Sequence, residues 1–323
     1  MQMPLWNDFH IKWIGTHIDR SKVLKILFVI IGFFQFCFLI PYYNIVHFHI
    51  STSSSAIRKY LFFRITKLLK RKIVVHLHLG IDQFRDQLKR QCDYRAYGVL
   101  FKGADAIIVL SKKNKEELNS LFEVGEKTNV IYNPCTIINN VSYTSDYKNI
   151  LFAGTLNQRK GYSVLLKAFA LIATKHPDWK LNFAGNGEIE NASQIAHDLK
   201  IHEQVNFLGW IKGEEKEKIF RQASIFCLPS YSEGFPMAIL DAFSYAIPVV
   251  ITPVGGIPDV LADGENALLF EPGNSEQLAN NLERLMNNDT LLKNMSEKSF
   301  KLTKGLFNPE HINYCLSSLY SHL

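Results

Sequence analysis

The sequence predicts an α/β protein built from two doubly wound, parallel-sheet domains. Three features carry that expectation: the length, an alternation of strand-like with helix-like segments, and a break in the alternation near the middle. A chain of 323 residues exceeds one typical core and suits two domains of roughly 150 residues each. Hydrophobic content of 47% with 20% charged residues, and no low-complexity tract, excludes a disordered or fibrous chain.

Short β-branched or apolar runs bounded by turn residues predict strands at residues 44–48, 72–77, 106–110, 129–131, 150–153, 180–184, 204–208, 225–228 and 248–251. Helical periodicity lies between most of them, as at residues 164–173 and 214–221. Such alternation builds parallel sheets, so both halves read as Rossmann-like. Polar residues cluster without a period over residues 134–148, which puts the domain boundary after Ser145. Residues 1–145 then form one domain and residues 146–323 the other, with the last helix expected to pack back on the first. Sites of such folds lie beyond the carboxyl ends of strands, so two facing domains predict a site in their cleft.

The net charge of +6 conceals an asymmetry. Residues 1–145 carry 20 Lys+Arg against 10 Asp+Glu, whereas residues 146–323 carry 16 against 20. The basic half is suited to a polyanion. No zinc-finger spacing or RNP-type motif points to nucleic acid, and basic residues interleaved with apolar stretches favour an anionic membrane surface. Five scattered cysteines with no C-x-x-C pair argue against a disulfide framework and for a reducing cytoplasm. The apolar run at residues 26–40 is shorter than the roughly 20 residues that span a bilayer. It reads as a buried helix, an interfacial helix or, least simply, a span. Residues 58–72, with cations among Leu, Phe and Ile at helical spacing, support interfacial contact.

The stretch 229–251, PSYSEGFPMAILDAFSYAIPVVI, carries the clearest chemistry. A strand ends before it, a loop presents Glu233 ahead of Gly234 and Phe235, and Pro236 is expected at the first helical position. A helix N-terminus with free N–H groups beside a glycine suits a diphosphate. Asp241 follows Glu233 by eight residues, about two helical turns, so both carboxylates can address one elongated ligand. In FAGTLNQRKGYSVLL a strand runs into a turn bearing Arg159 and Lys160, cations suited to the charge that grows on a departing diphosphate. Without further support, a solvated pair of acids and a basic surface turn are the better explanations of these residues.

The run EGFPMAILDAFSYAIPVV resembles the family-4 glycosyltransferase signature E-G-F-x-x-x-x-L-E-A-x-A-x-G-x-P-V-V. ILFAGTLNQRKGYSVLLKAF, LNFAGNGEIE, VNFLGW, IFCLPS and TPVGGIPDVLADGENALLFEPGNSEQLANNLERLM continue the match in order across residues 150–286. IVHFH, VVHLHLG, ADAIIVLSKKNKEEL and VIYNP match more loosely in the first half. The resemblance implies a GT-B fold and retaining transfer of a sugar from a nucleotide-sugar donor, a UDP- or GDP-sugar. It places Glu233 near the sugar, Asp241 at the ribose, Lys160 and Arg159 at the diphosphate, and Gly185, Gly187, Gly209, Trp210 and Ile211 around the nucleotide. Two departures stand out: Asp241 replaces the second glutamate, and Thr155 replaces the usual arginine, whose charge Arg159 would supply.

The pairs His47/His49 and His76/His78 each put two imidazoles on one strand face, so four could in principle meet at zinc. The resemblance offers instead His78 as the histidine near the sugar, and packed strand-end histidines are the bland alternative. The family implies no metal or other cofactor, in keeping with the absence of an Asp-x-Asp motif. It also implies a glycan or lipid-linked acceptor in surface polysaccharide assembly, and hence a place at the inner face of the plasma membrane. The competing reading is a weak or inactive partner that binds nucleotide or glycan. The family's opening strand and Gly-rich loop have no counterpart here. Only four glycines fall in the first hundred residues, so residues 1–21 are expected to follow a missing first βα unit and to leave a strand edge exposed.

Overall fold

In the computed structural model, which describes residues 9–18, 21–138, 141 and 147–323, each predicted strand forms within two residues of its expected bounds. The first half runs α1 (Lys22–Leu39), β1 (Ile45–Ile50), α2 (Ser53–Leu68), β2 (Lys72–Leu77), α3 (Ile81–Leu88), α4 (Gln91–Gly103), β3 (Ala106–Val109), α5 (Lys112–Phe122) and β4 (Thr128–Val130). The second runs β5 (Asn149–Ala153), α6 (Tyr162–Ile172), β6 (Lys180–Ala184), α7 (Ile189–Asp198), β7 (Val205–Gly209), α8 (Gly213–Arg221), β8 (Ile225–Leu228), α9 (Met237–Ser244), β9 (Val249–Ile251), β10 (Leu268–Leu269), α10 (Ser275–Met286), α11 (Asp289–Lys304) and α12 (Pro309–Ser321). The two-residue β10 has too short an apolar run to announce itself in sequence.

Two units result, Met1–Tyr132 with Ile312–Leu323, and Asn133–His311. The expected boundary after Ser145 lies outside the described residues, as do residues 1–8 and 19–20 of the opening segment. The division instead falls after Tyr132, where β4 has just ended, and most of α12 joins the first unit.

The first unit holds a parallel sheet of order β1-β2-β3-β4, with β1 at one edge. Its core gathers Phe84, Tyr97, Phe101 and Phe122, all buried, between the sheet and α3 to α5. Each such side chain contributes roughly 1.5–3 kcal/mol on burial. Helix starts are capped locally: Thr52 accepts from Ser55 N–H at 3.1 Å and Ser111 from Asn114 N–H at 3.0 Å.

Helix α1 departs from the buried-helix reading. Only Gly32 and Phe36 are buried, with Phe33 and Phe36 packing on Phe62 of α2 at 5.4 and 5.0 Å between ring centroids. Val23, Ile26, Leu27, Ile31, Phe34 and Phe38 are exposed. By length and composition the 21 residues Lys22–Tyr42 are enough to cross a membrane.

In the second unit all strands are parallel in the order β10-β9-β8-β5-β6-β7. From β5 the chain proceeds outward to β6 and β7, then returns to the other side of β5 to lay down β8. Connections therefore leave β5 and β8 toward different flanks, which makes the carboxyl ends of this adjacent pair the topological switch point.

Candidate functional site

The loops after β5 and β8 bring together three of the residues singled out in sequence. After β5, the Asn157 side chain accepts from Lys160 N–H at 3.0 Å and winds Gln158–Lys160 into one tight turn ahead of α6. Gly161 ends that turn at φ 69°, and a Cβ there would lie 2.0 Å from the Pro229 carbonyl oxygen. Glycine is thus required for the two loops to touch. They are then laced by Tyr231 N–H donating to the Arg159 carbonyl at 2.8 Å and by Arg159 Nη1 donating to the Ser232 carbonyl at 2.7 Å.

Glu233 sits at the centre of this junction. Its Oε1 accepts from Lys160 Nζ at 2.6 Å and from Ser230 Oγ at 2.7 Å, with Arg159 Nη1 at 3.4 Å. The Glu233 and Lys160 side chains are only 8% and 13% exposed, so this is a desolvated, charge-assisted contact rather than a surface pair. Two cations against one carboxylate leave the junction net positive. Such a constellation can hold an anion while keeping a carboxylate beside it.

The following residues frame the same loop. Gly256 N–H donates to the Gly234 carbonyl at 2.7 Å, and the buried Phe235 ring packs on Phe307 at 5.0 Å. Pro236 has ψ 125° and is the residue before α9, one position earlier than expected, because its extended backbone cannot belong to the helix. Asp241 lies on α9 but accepts from Lys216 Nζ of α8 at 2.7 Å. Lys216 gave no signal in the sequence, since its partner is 25 residues away and joined only by packing.

Gly185 and Gly187 have a structural duty of their own. Added Cβ atoms would lie 1.9 Å from the Gly154 oxygen and 2.2 Å from the Leu156 oxygen. The β6 loop packs that closely against the β5 loop, with Leu156 N–H donating to the Asn186 carbonyl at 2.8 Å. Gly209 ends β7 at φ 67°, Trp210 is exposed, and Ile211 is buried. Ser230, three residues before Glu233, is the hydrogen-bond partner of Glu233 that sequence reasoning missed, although its hydroxyl lay within the signature loop.

In the first unit His78 does not stand alone. The parallel register pairs His49 with His76, and period-two alternation puts His47 and His78 on that same face. Ring centroids lie 4.4 Å apart for His47–His49, 4.0 Å for His76–His78 and 5.1 Å for His49–His78. His49 Nδ1 is 2.8 Å from His78 Nε2, and His47 Nδ1 is 2.5 Å from the Tyr320 hydroxyl of α12. Burial is the leading reason that protonation of all four is disfavoured. It brings His49 and His78, also near Lys59, down to about 4, and His47 and His76, among other imidazoles, well below the usual 6.5.

Residues 137–302 match the family model of glycosyl transferases group 1. An uncharacterized glycosyltransferase of Haemophilus influenzae is 34% identical over 201 residues, 60% of this chain and 55% of that protein. D-inositol 3-phosphate glycosyltransferase of Corynebacterium jeikeium is 34% identical over 172 residues, 51% of this chain and 39% of that protein. The chain thus spans about half the length, or less, of these curated relatives. Among solved structures, Anabaena HepE in complex with UDP superposes with TM-score 0.76 at 19% identity, covering 90% of this chain and 81% of that one. Sucrose-phosphate synthase of Thermosynechococcus elongatus does so with TM-score 0.76 at 22% identity, covering 96% and 81%. These likenesses establish the GT-B fold.

Proposed function

The chain belongs to the group 1 glycosyl transferases, and from that premise we propose that it moves a hexosyl group from a UDP- or GDP-sugar to a glycan or lipid-linked acceptor, with retention of configuration. The observation that carries the reading is the junction of Lys160, Arg159 and Glu233 at the β5/β8 switch point. That is where doubly wound sheets bind nucleotides, and its net positive charge suits a diphosphate. UDP in the Anabaena relative is consistent with such a donor.

The sugar's anomeric carbon–oxygen bond to the diphosphate breaks as the acceptor oxygen bonds to the same face of that carbon. The acceptor proton passes to the leaving phosphate oxygen. Lys160 and Arg159 stabilise charge growing on the diphosphate, which protein cations do without Mg²⁺ or Mn²⁺ at that position. Glu233, already fixed by Lys160 and Ser230, faces the sugar and the positive charge that develops on it. Asp241 exchanges Lys216 for the ribose hydroxyls, Trp210 and Ile211 flank the base, and His78 belongs to the acceptor side.

The exposed apolar residues of α1, together with cations on α1 and α2, suit a peripheral seat on an anionic cytoplasmic membrane surface. A role in surface polysaccharide assembly would follow from a lipid-linked acceptor there.

A thermal-shift panel of UDP, GDP, ADP and CDP with their sugars tests the donor, because a ligand that binds the folded state raises its melting temperature. One base should stabilise the chain, and its sugar nucleotide should be turned over, at least hydrolytically, at a rate indifferent to added Mg²⁺ or Mn²⁺. Stabilisation without any turnover would favour the binding-partner reading; no stabilisation by any nucleotide would remove both.

A further inference from the structure

The four-histidine face of the first unit has a feature that packing alone does not account for. His76 is 7% exposed, and neither of its ring nitrogens has a hydrogen-bond partner among the described residues; Nε2 of His47 is also buried without one. Buried imidazole nitrogens left unpartnered carry a desolvation cost, and an unoccupied ligand position is a recognised reason for tolerating it. One ligand atom from each of His47, His49 and His76 lies within 4.8 Å of the others. We propose that His47, His49 and His76 bind a first-row divalent transition ion, zinc or a neighbour such as cobalt, nickel or copper, on the first unit's sheet.

The ligand set argues for that class of ion. Imidazole nitrogens suit zinc, nickel and copper, whereas calcium and magnesium demand oxygen ligands that this group lacks. On a tetrahedral ion with bonds of about 2.1 Å, two nitrogens stand roughly 3.4 Å apart, so the ligand atoms need close by at most about 1.4 Å.

The remaining contacts orient the ligands. With Nδ1–H of His47 donating to the Tyr320 oxygen, Nε2 keeps its lone pair for the ion. With Nδ1–H of His49 donating to Nε2 of His78, the other nitrogen of His49 is released in the same way, and His78 acts as a positioning residue. Trp13 stacks on His49 at 5.6 Å. Lys59, the nearby cation, donates to the His49 carbonyl and to Ser55 Oγ at 2.8 Å. An ion here would brace β1 against β2 and, through His47 and Tyr320, against α12.

The test uses the full untagged chain, stripped with EDTA and dialysed, and needs no sugar donor, so it stands apart from turnover. Titration with Co²⁺ should give visible ligand-field bands that saturate near about one ion per chain and collapse on adding Zn²⁺. Zn²⁺ should raise the melting temperature by about 5 °C or more. His49→Gln and His76→Gln should each weaken binding by about tenfold or more, and His78→Gln by a comparable factor at most. The exposed stacked pair His197 and His202 provides the control. Changing both to Gln should leave the bands intact. If wild-type chain shows no saturable Co²⁺ or Zn²⁺ binding, the site does not exist. If binding survives His49→Gln, a partly exposed position whose fold circular dichroism can verify, and is lost in the His197/His202 variant, the ion lies elsewhere.

Discussion

The two strand-end clusters of this chain solve opposite problems. After β5 and β8, a buried carboxylate is satisfied by a lysine, a serine and a nearby arginine. On β1 and β2, buried imidazoles are neutral and in part unpartnered. The first arrangement is preorganised charge, costly to dismantle from either side. The second depends on staying uncharged, so it tolerates apolar surroundings but not acid. Parallel sheets of similar construction thus hold one site tuned by ion pairing and one tuned by desolvation.

The sharpest way to break the comparison is at Glu233. Glu233→Gln should lower turnover by about a hundredfold or more while leaving nucleoside diphosphate affinity within a few-fold, because the charge acts on the transition state. Steady-state rates with the preferred donor decide it, and wild-type turnover would take Glu233 out of the chemistry. Lys160→Ala should reduce both affinity and rate, since the ammonium meets a diphosphate charged in the ground state and more so later. It also leaves Glu233 with Ser230 and the more distant Arg159, so denaturant unfolding should report a loss on the order of 1–3 kcal/mol.

The histidine cluster responds to pH instead. His49 and His78 are brought down to about 4 from 6.5, so between those values the unfolded chain binds more protons than the folded one. Stability of the ion-free protein is therefore full above about pH 6.5 and falls as the pH drops toward 4, by a few kcal/mol at the order-of-magnitude level. Chemical denaturation at pH 7 and pH 4.5 should show the loss, and His49→Gln should reduce the slope. An unchanged midpoint would mean these rings are solvated in the folded state.

The smallest expected effect concerns the outer surface. Sedimentation with anionic vesicles should capture the protein, and raising salt should weaken capture by about tenfold because surface charge is screened. Release by salt or high pH fits a helix lying in the interface. Extraction by detergent alone would assign α1 to the bilayer interior.

How much of this was legible beforehand follows the range of the forces involved. Strand and helix periods are set by neighbours a few residues apart, so residues 180–184 and 225–228 read as strands and became β6 and β8 without change. The signature loop likewise announced Glu233, and the turn before α6 announced Lys160. Their 2.6 Å contact joins residues 73 apart and exists because β5 and β8 were laid side by side. The exposure of α1 was equally hidden, because an apolar run has one composition whether or not another element covers it.

By itself the sequence determined the alternating α/β order, the basic first half and the residue types at each strand end, all of which follow from local pattern and composition. Only the tertiary structure decided which ends meet. The register of β1 with β2 collected four imidazoles on one face, and the reversal of strand order at β5 closed Lys160 onto Glu233. Α chain that pairs distant strands must spend conformational entropy to do so, and that long-range choice leaves no local periodicity by which to read it.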